Sequence, residues 1–193
     1  MCPHICLLVV GDASCTKSEL LHRLVKDPQP GTDISMPYVF EDCPTYSDYT
    51  IDGQAVTLSL FDSSGLEEFE AVRSMMYKGK DVILLCYNIE CAESLRNAAQ
   101  SWAPDIRRIC GNKPIILVGC KPWSALAMAE AKPVQVSEAD AEEVKARIKA
   151  ESHIMCDINT GSNVPQVLEE AVRAALRSGG KQERRRDKRC SIQ

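Results

Sequence analysis

Eight residues near the N-terminus have the types and spacing for chemistry on phosphate: Gly11-Asp12-Ala13-Ser14-Cys15-Thr16-Lys17-Ser18. They follow an apolar run, Ile5 to Val10, and precede helical spacing at Leu20, Leu21, Leu24 and Val25. A strand, a glycine turn, Lys-Ser and a helix form a phosphate-binding layout. The loop's backbone N–H groups and the helix N-terminus converge there with partial positive charge. Lys17 adds a full charge, and the Ser18 hydroxyl suits Mg²⁺. One position departs from the pattern G-x-x-x-x-G-K-[ST], because Thr16 stands where its second glycine belongs. A β-branched residue is expected not to reach the backbone angles open to glycine, and to crowd whatever approaches the loop.

The elements that must position this loop can be read along the chain. Asp27-Pro28-Gln29-Pro30-Gly31 ends the first helix, and the segment to about Pro44 reads as a long ordered loop. Tyr46 to Ile51 and Ala55 to Phe61 flank Asp52-Gly53, a hairpin signal. Leu66 to Tyr77 has a helical pattern. Val82 to Tyr87 and Pro114 to Val118 are continuous apolar runs, as in strands covered on both faces. Between them, Leu95, Ala98, Ala99, Trp102, Ile106 and Ile109 stripe one helix over Ser94 to Ile109. Glu138 to Ala150 predicts a charged helix and His153 to Cys156 a short strand. Val164 to Leu176 predicts an amphipathic helix, with Asn163 placed to cap it. Strands alternating with helices imply a parallel-rich sheet with helices on both faces. Ligands then sit at the carboxyl ends of the strands. Gly11–Ser18, Asp62–Gly65 and Gly119–Trp123 all follow strands, so they should converge there.

At 193 residues with ordinary apolar content, the chain suits one domain with a sizeable core. No stretch has the length of a membrane-spanning helix, and no signal peptide is expected. Ten cysteines are scattered without a C-x-x-C pair, which reads as reduced thiols in a cytosolic protein. The net charge of −4 hides an asymmetry: residues 181–193 carry +4 and the remainder −8. Residues 1–180 are therefore expected to form the domain, with 181–193 as a polybasic tail whose partner is an anionic surface. The last four residues, Cys190-Ser191-Ile192-Gln193, fit a C-a-a-X box, and the terminal Gln favours farnesyl on Cys190. One prenyl chain anchors weakly, and the Arg184–Arg189 cluster supplies a second signal.

From about Ile5 to the C-terminus the chain resembles the Rho/Rac branch of the Ras-like small GTPases. Gly11-Asp12 through Lys17-Ser18 looks like that branch's phosphate loop. Pro37-Tyr38-Val39-Phe40-Glu41 is similar to its first switch, P-T-V-F-D. Leu60 to Glu67 resembles the strand and second switch around W-D-T-A-G-Q-E. Trp102-Ala103-Pro104 and Pro114 to Lys121 are similar to its W-x-P and P-I-I-L-V-G-T-K. The segment between Lys121 and Val136 is shorter than the branch's helical insert. The resemblance implies the P-loop small GTPase fold: a six-stranded, mostly parallel sheet with one antiparallel edge strand and helices on both faces. It implies GTP/GDP and Mg²⁺ as ligands, with nucleotide contacts from Gly11, Ala13, Ser14, Cys15, Thr16, Lys17, Ser18, Asp62, Gly65 and Lys121. Ser18, and Asp62 through water, would hold the metal. Tyr38, Val39, Phe40, Glu41, Leu66 and Phe69 would meet Rho-family effectors or regulators. It further implies a monomer without nucleic-acid partners, in the cytoplasm and on the cytoplasmic face of the plasma membrane.

Departures from the family's pattern imply altered chemistry. Tyr38 replaces the first-switch threonine that binds Mg²⁺ and senses the γ-phosphate. Leu66 replaces the glutamine that orients the attacking water. Ala13 replaces a glycine whose added bulk obstructs an incoming arginine finger. Trp123 replaces the aspartate that reads guanine, and indole accepts no hydrogen bond. Gln29 replaces the aromatic that covers the base, and Asp157 places a carboxylate near the base oxygen. Two readings remain open: a GTP-binding signalling protein with little or no hydrolysis, and a pseudo-GTPase acting as a constitutive interaction platform. A P-loop kinase is disfavoured, since the sequence has no arginine-rich lid.

Overall fold

The apolar run near the N-terminus becomes β1 (His4–Val10), in which Leu7 to Val10 are fully buried. Leu7 and Val9 point to one face and Leu8 and Val10 to the other. This is the two-residue period of a strand with a core on each side. The computed structural model describes residues 2–26, 45–63, 75–122 and 135–190.

Five further strands join β1: β2 (Thr45–Ile51), β3 (Gln54–Phe61), β4 (Val82–Asn88), β5 (Ile115–Lys121) and β6 (Ser152–Asp157). Their order is β2-β3-β1-β4-β5-β6, with β2 antiparallel to β3 and every other pair parallel. The expected sheet, with its antiparallel edge strand, is therefore present. The β2–β3 turn has left-handed backbone at Asp52 and Gly53 (φ 47° and 77°), as a two-residue hairpin requires.

Helices α1 (Lys17–Lys26) and α5 (Val164–Cys190) cover the face of Leu7 and Val9. The other face is covered by α2 (Ala92–Asn97), a π-helical turn (Ala98–Trp102), α3 (Ala103–Cys110) and α4 (Glu138–Ile148). A capping box between Ser137 and Asp140 starts α4. No helix of the described residues is long and apolar enough to cross a membrane.

Three sequence expectations need correction or completion. The helix expected over Ser94 to Ile109 is interrupted, because Pro104 has no N–H and its ring displaces the carbonyl four residues back. The backbone opens one wider turn, with the Ala103 N–H donating to the Ala98 carbonyl. Asn163 does not cap α5 with its side chain: it takes a left-handed φ of 61° and donates Nδ2 to the Met155 carbonyl. It supplies its backbone carbonyl to the Val167 N–H instead. Of the segment expected to be helical from Leu66 to Tyr77, residues 66–74 lie outside the described residues. Met75 is exposed and Met76 leans on the core.

Two glycines are dictated by close approach. A Cβ on Gly11 would lie 2.3 Å from the Cys86 carbonyl oxygen, so β1 can turn into the loop only with hydrogen there. A Cβ on Gly119 would lie 2.6 Å from the Tyr87 hydroxyl.

Candidate functional site

All five parallel strands end at one edge of the sheet; the loop from Gly11 to Ser18 and Asp62 follow strands that end there, and Lys121 closes another. The loop after β1 makes one 3₁₀ turn (Ala13–Cys15) before α1 begins at Lys17. Thr16 between them adopts φ 48°, ψ 38°. It therefore does reach the left-handed region from which its branching was expected to exclude it. That region is small but allowed for L-residues, at a cost of about 1–2 kcal/mol that the flanking turn and helix must offset. Its Oγ1 is buried with no hydrogen-bond partner among the described residues.

Lys17 is almost fully buried, and its Nζ donates to the Asp12 carbonyl at 2.7 Å. The Ser18 hydroxyl donates to Asp62 Oδ2 at 2.5 Å, and the Ser63 N–H donates to Asp62 Oδ1 at 2.8 Å. Ser63 Oγ in turn donates to the Val9 carbonyl at 2.8 Å, tying the end of β3 to β1. Burial pushes the Asp62 carboxyl above its ordinary range, against the opposing pull of Ser18, Lys17 and the Ser63 N–H. Added positive charge is therefore favoured at this spot. A hydroxyl and a carboxylate in contact form a hard-oxygen donor set suited to Mg²⁺. With Lys17 and the start of α1 beside them, these residues fit a phosphorylated ligand carrying that metal.

Asp12 is a participant that motif reading passed over. Its carboxylate accepts the Trp102 indole N–H at 2.7 Å and the Asn97 amide at 2.9 Å. In a regular α-helix, side chains five residues apart point about 140° away from one another. The wider π turn closes much of that angle, so Asn97 and Trp102 reach the same carboxylate. Asp12 also accepts the Cys15 N–H on its own carbonyl. Asn88, at the end of β4, reaches the Ser14 carbonyl at 3.4 Å. Nothing local in the sequence marks these contacts, since Asp12 and Trp102 are 90 positions apart.

Cys15, placed among the ligand-contacting residues, turns its thiol inward, where burial and nearby Cys86 push it up to about 12. Cys120 is raised well above the thiol range by its hydrogen bonds with Cys156 and Cys86, then by burial. These are inert core thiols. No disulfide joins the cysteines whose side chains are described, and no metal-holding cluster of His, Cys, Asp or Glu occurs among the described residues.

The second half of the edge is built differently. Lys121 Nζ lies 3.1 Å from Asp157 Oδ2. Asp157 Oδ1 also accepts the N–H groups of Asn159 (2.8 Å) and Thr160 (3.2 Å). Burial raises this carboxyl, but the Thr160 N–H, Lys121 and the Asn159 N–H outweigh it and hold the group below its ordinary range. The carboxylate expected to face a base is thus committed to its own turn and to Lys121. Asn159 Nδ2 donates to the Pro122 carbonyl, linking the β5 and β6 ends. Tyr38, Val39, Phe40, Glu41, Gly65, Leu66, Phe69, Gln29 and Trp123 lie outside the described residues.

Comparison with known proteins points one way. The Ras family profile matches residues 6–177. The chain is 34% identical over 192 residues to GTP-binding protein RHO1 of Candida albicans, covering 96% of this chain and 94% of that protein. It is 36% identical over 178 residues to Rho-related GTP-binding protein RhoB of Homo sapiens, covering 88% of each.

The Asp12 clamp leads to a measurable expectation. Trp102→Phe keeps an aromatic ring against the core, though a smaller one, and leaves a carboxylate without its indole donor. Hydrogen bonds to charged groups contribute about 1.5–3 kcal/mol, so urea unfolding should show a loss of that size. Asp12→Asn should cost less once Trp102 is already Phe, giving a coupling of at least about 0.5 kcal/mol in a double-mutant cycle. Strictly additive losses would show that the contact carries no energy.

Proposed function

The chain belongs to the Rho branch of the Ras family of small GTP-binding proteins, and from that membership we propose a membrane-anchored signalling protein whose hydrolysis and nucleotide response are weakened. The observation that carries this reading is the contrast between the two halves of one sheet edge. Ser18 donates to Asp62, and Lys17, next to Ser18 at the start of α1, donates to the Asp12 carbonyl, which supports a phosphate-and-metal role for this half. The Lys121–Asp157 pair, with Trp123 in place of a carboxylate, leaves the base end without its usual reader.

In this reading GDP or GTP is held mainly by its phosphates. The loop from Gly11 to Ser18 supplies backbone N–H groups, and Lys17 supplies the charge. Ser18 and, through water, Asp62 hold Mg²⁺, which when bound shares the negative charge of the phosphates. Cys15 and Thr16 contribute backbone, and Gly65 stands by the γ-phosphate. Lys121 lays its stem along the base while Asp157 holds its ammonium. Leu66 has no polar atom to orient a water, and Ala13 narrows the approach of an arginine finger. A second reading, a pseudo-GTPase platform, is favoured by the same base end and by Thr16, whose left-handed backbone and buried, unpartnered Oγ1 strain the loop.

The partner surface is the first switch at Tyr38, Val39, Phe40 and Glu41 beside Leu66 and Phe69. Met75, which follows that stretch in the chain, is 73% exposed and adds an apolar side chain at the surface. With Tyr38 in the sensor position, binding of Rho-type effectors or regulators, and through them cytoskeletal control, depends little on nucleotide. Residence at the cytoplasmic face of the plasma membrane comes from a prenyl group on Cys190 and from the basic tail at 181–189.

Nucleotide extracted from purified protein and single-turnover phosphate release test the first proposal. Hydrolysis is expected at least on the order of a hundredfold below a competent Rho protein, the scale of losing one positioned catalytic group. Strong stimulation by a Rho-type activating protein would sink it, and absence of any bound guanine nucleotide would select the platform reading. Pull-downs of Rho effectors should recover similar amounts with GDP, a GTP analogue or no nucleotide loaded, and much less with Phe40→Ala. Cell fractionation should find Cys190→Ser in the cytosol; an unmoved variant would remove the anchor from the account.

A further inference from the structure

The opposite edge of the sheet carries a second, basic site. A cavity of about 490 Å³ lies between α3 and α4, lined by Arg107, Lys113, Arg147 and Lys149 against the single acid Glu151. Lys113 precedes β5 and Glu151 precedes β6, so the cavity sits at the amino ends of the parallel strands.

Arg107 forms the floor. Its guanidinium donates to the carbonyls of Gly111, Lys113, Ile148 and Lys149, bolting the C-terminal ends of α3 and α4 together. It thereby answers the negative ends of both helices, which would otherwise repel an anion. Lys113 shares its charge with Asp81 at 3.3 Å. Arg147 and Lys149 are exposed at the rim and pair with no acid among the described residues. Lys149 is also held at φ 55°, a left-handed position at a helix end where glycine is the usual occupant. A lysine kept in that conformation is a departure from local preference that places a cation over the cavity. Ala99, Ala103 and Pro104 supply an apolar wall. The volume is in the range of small-molecule sites and exceeds what a lone inorganic anion fills.

The fold also says what meets this edge. Helix α5 starts beyond the carboxyl end of β6 and runs back, so that Arg173 grips Asp52 in the β2–β3 turn through two hydrogen bonds. That turn lies at the amino end of β3, and α5 continues to Cys190. Seventeen more residues of helix span about 25 Å, so the basic stretch departs from the same edge as the cavity. We propose that the Arg147–Lys149 cavity binds the ring-bearing phosphomonoester headgroup of an inositol lipid at the membrane to which the tail delivers the chain. This rests on the membrane reading above. It assigns the tail to general attraction by an anionic surface and the cavity to choice among anionic lipids.

The test is sedimentation of the full-length protein with phosphatidylcholine vesicles carrying either phosphatidylserine or a doubly phosphorylated inositol lipid, matched for surface charge. The parent chain should bind the inositol-lipid vesicles several-fold more tightly. Arg147→Ala combined with Lys149→Ala removes two exposed side chains and should abolish that ratio, with phosphatidylserine binding changed less than about twofold. Replacing Arg184, Arg185 and Arg186 with alanine should weaken both vesicles by a similar factor and leave the ratio standing. No preference in the parent chain, or a preference that survives the rim variant, overturns the cavity site. A soluble inositol phosphate that binds as tightly as the vesicle, by calorimetry, overturns the lipid assignment. A tail variant that binds both vesicles undiminished defeats the membrane reading instead, which keeps the two failures apart.

Discussion

One aspartate holds the phosphate loop to the rest of the molecule. Asp12 accepts Lys17 Nζ and the Cys15 N–H on its carbonyl, and Trp102 and Asn97 on its carboxylate. The loop is thereby closed on itself and pinned to a helix that follows a different strand. The constraint works because Pro104 interrupts that helix and opens the turn that carries Trp102 around. A loop residue with no direct role in chemistry can thus set the angle at which α1 and its first N–H groups face a ligand.

The sheet separates charge by end. The carboxyl edge gathers Lys17, Ser18 and Asp62, where burial outweighs the polar contacts and raises the Asp62 carboxyl above its ordinary range. The amino edge gathers Arg107, Lys113, Arg147 and Lys149, and α5 leaves from there. Parallel strands impose this division, because each needs a crossover connection and loops of one kind then collect at one end. In an overall acidic chain, concentrating basic residues at one edge gives the domain a polarity along the strand axis.

Within the carboxyl edge, the substitutions are unequal in consequence. Thr16 takes left-handed backbone of the kind glycine favours, at the cost of strain and one buried hydroxyl. Asp157 turns inward to its own N–H groups and to Lys121, so its charge is spent locally. The first change is felt as backbone strain within the loop, and the second as a carboxylate already paired inside the protein.

The strands, the loop and the alternation of elements were legible in the sequence because they rest on local properties: apolar period, glycine and proline placement, and the order Gly11 to Ser18. Ser18 and Asp62 could be paired in advance because both follow strands that a parallel sheet brings to one edge. By itself the sequence also determined the charge asymmetry and the Rho-type pattern with its departures. Only the tertiary structure decided that Thr16 reaches left-handed backbone, that Asn163 donates to β6 instead of capping α5, and that Trp102 and Asn97 clamp Asp12. It alone decided that Arg107, Arg147 and Lys149 share a cavity. Those outcomes depend on contacts between residues tens of positions apart, whose energies arise when packing removes water and fixes side-chain direction. No local pattern along the chain carries that information.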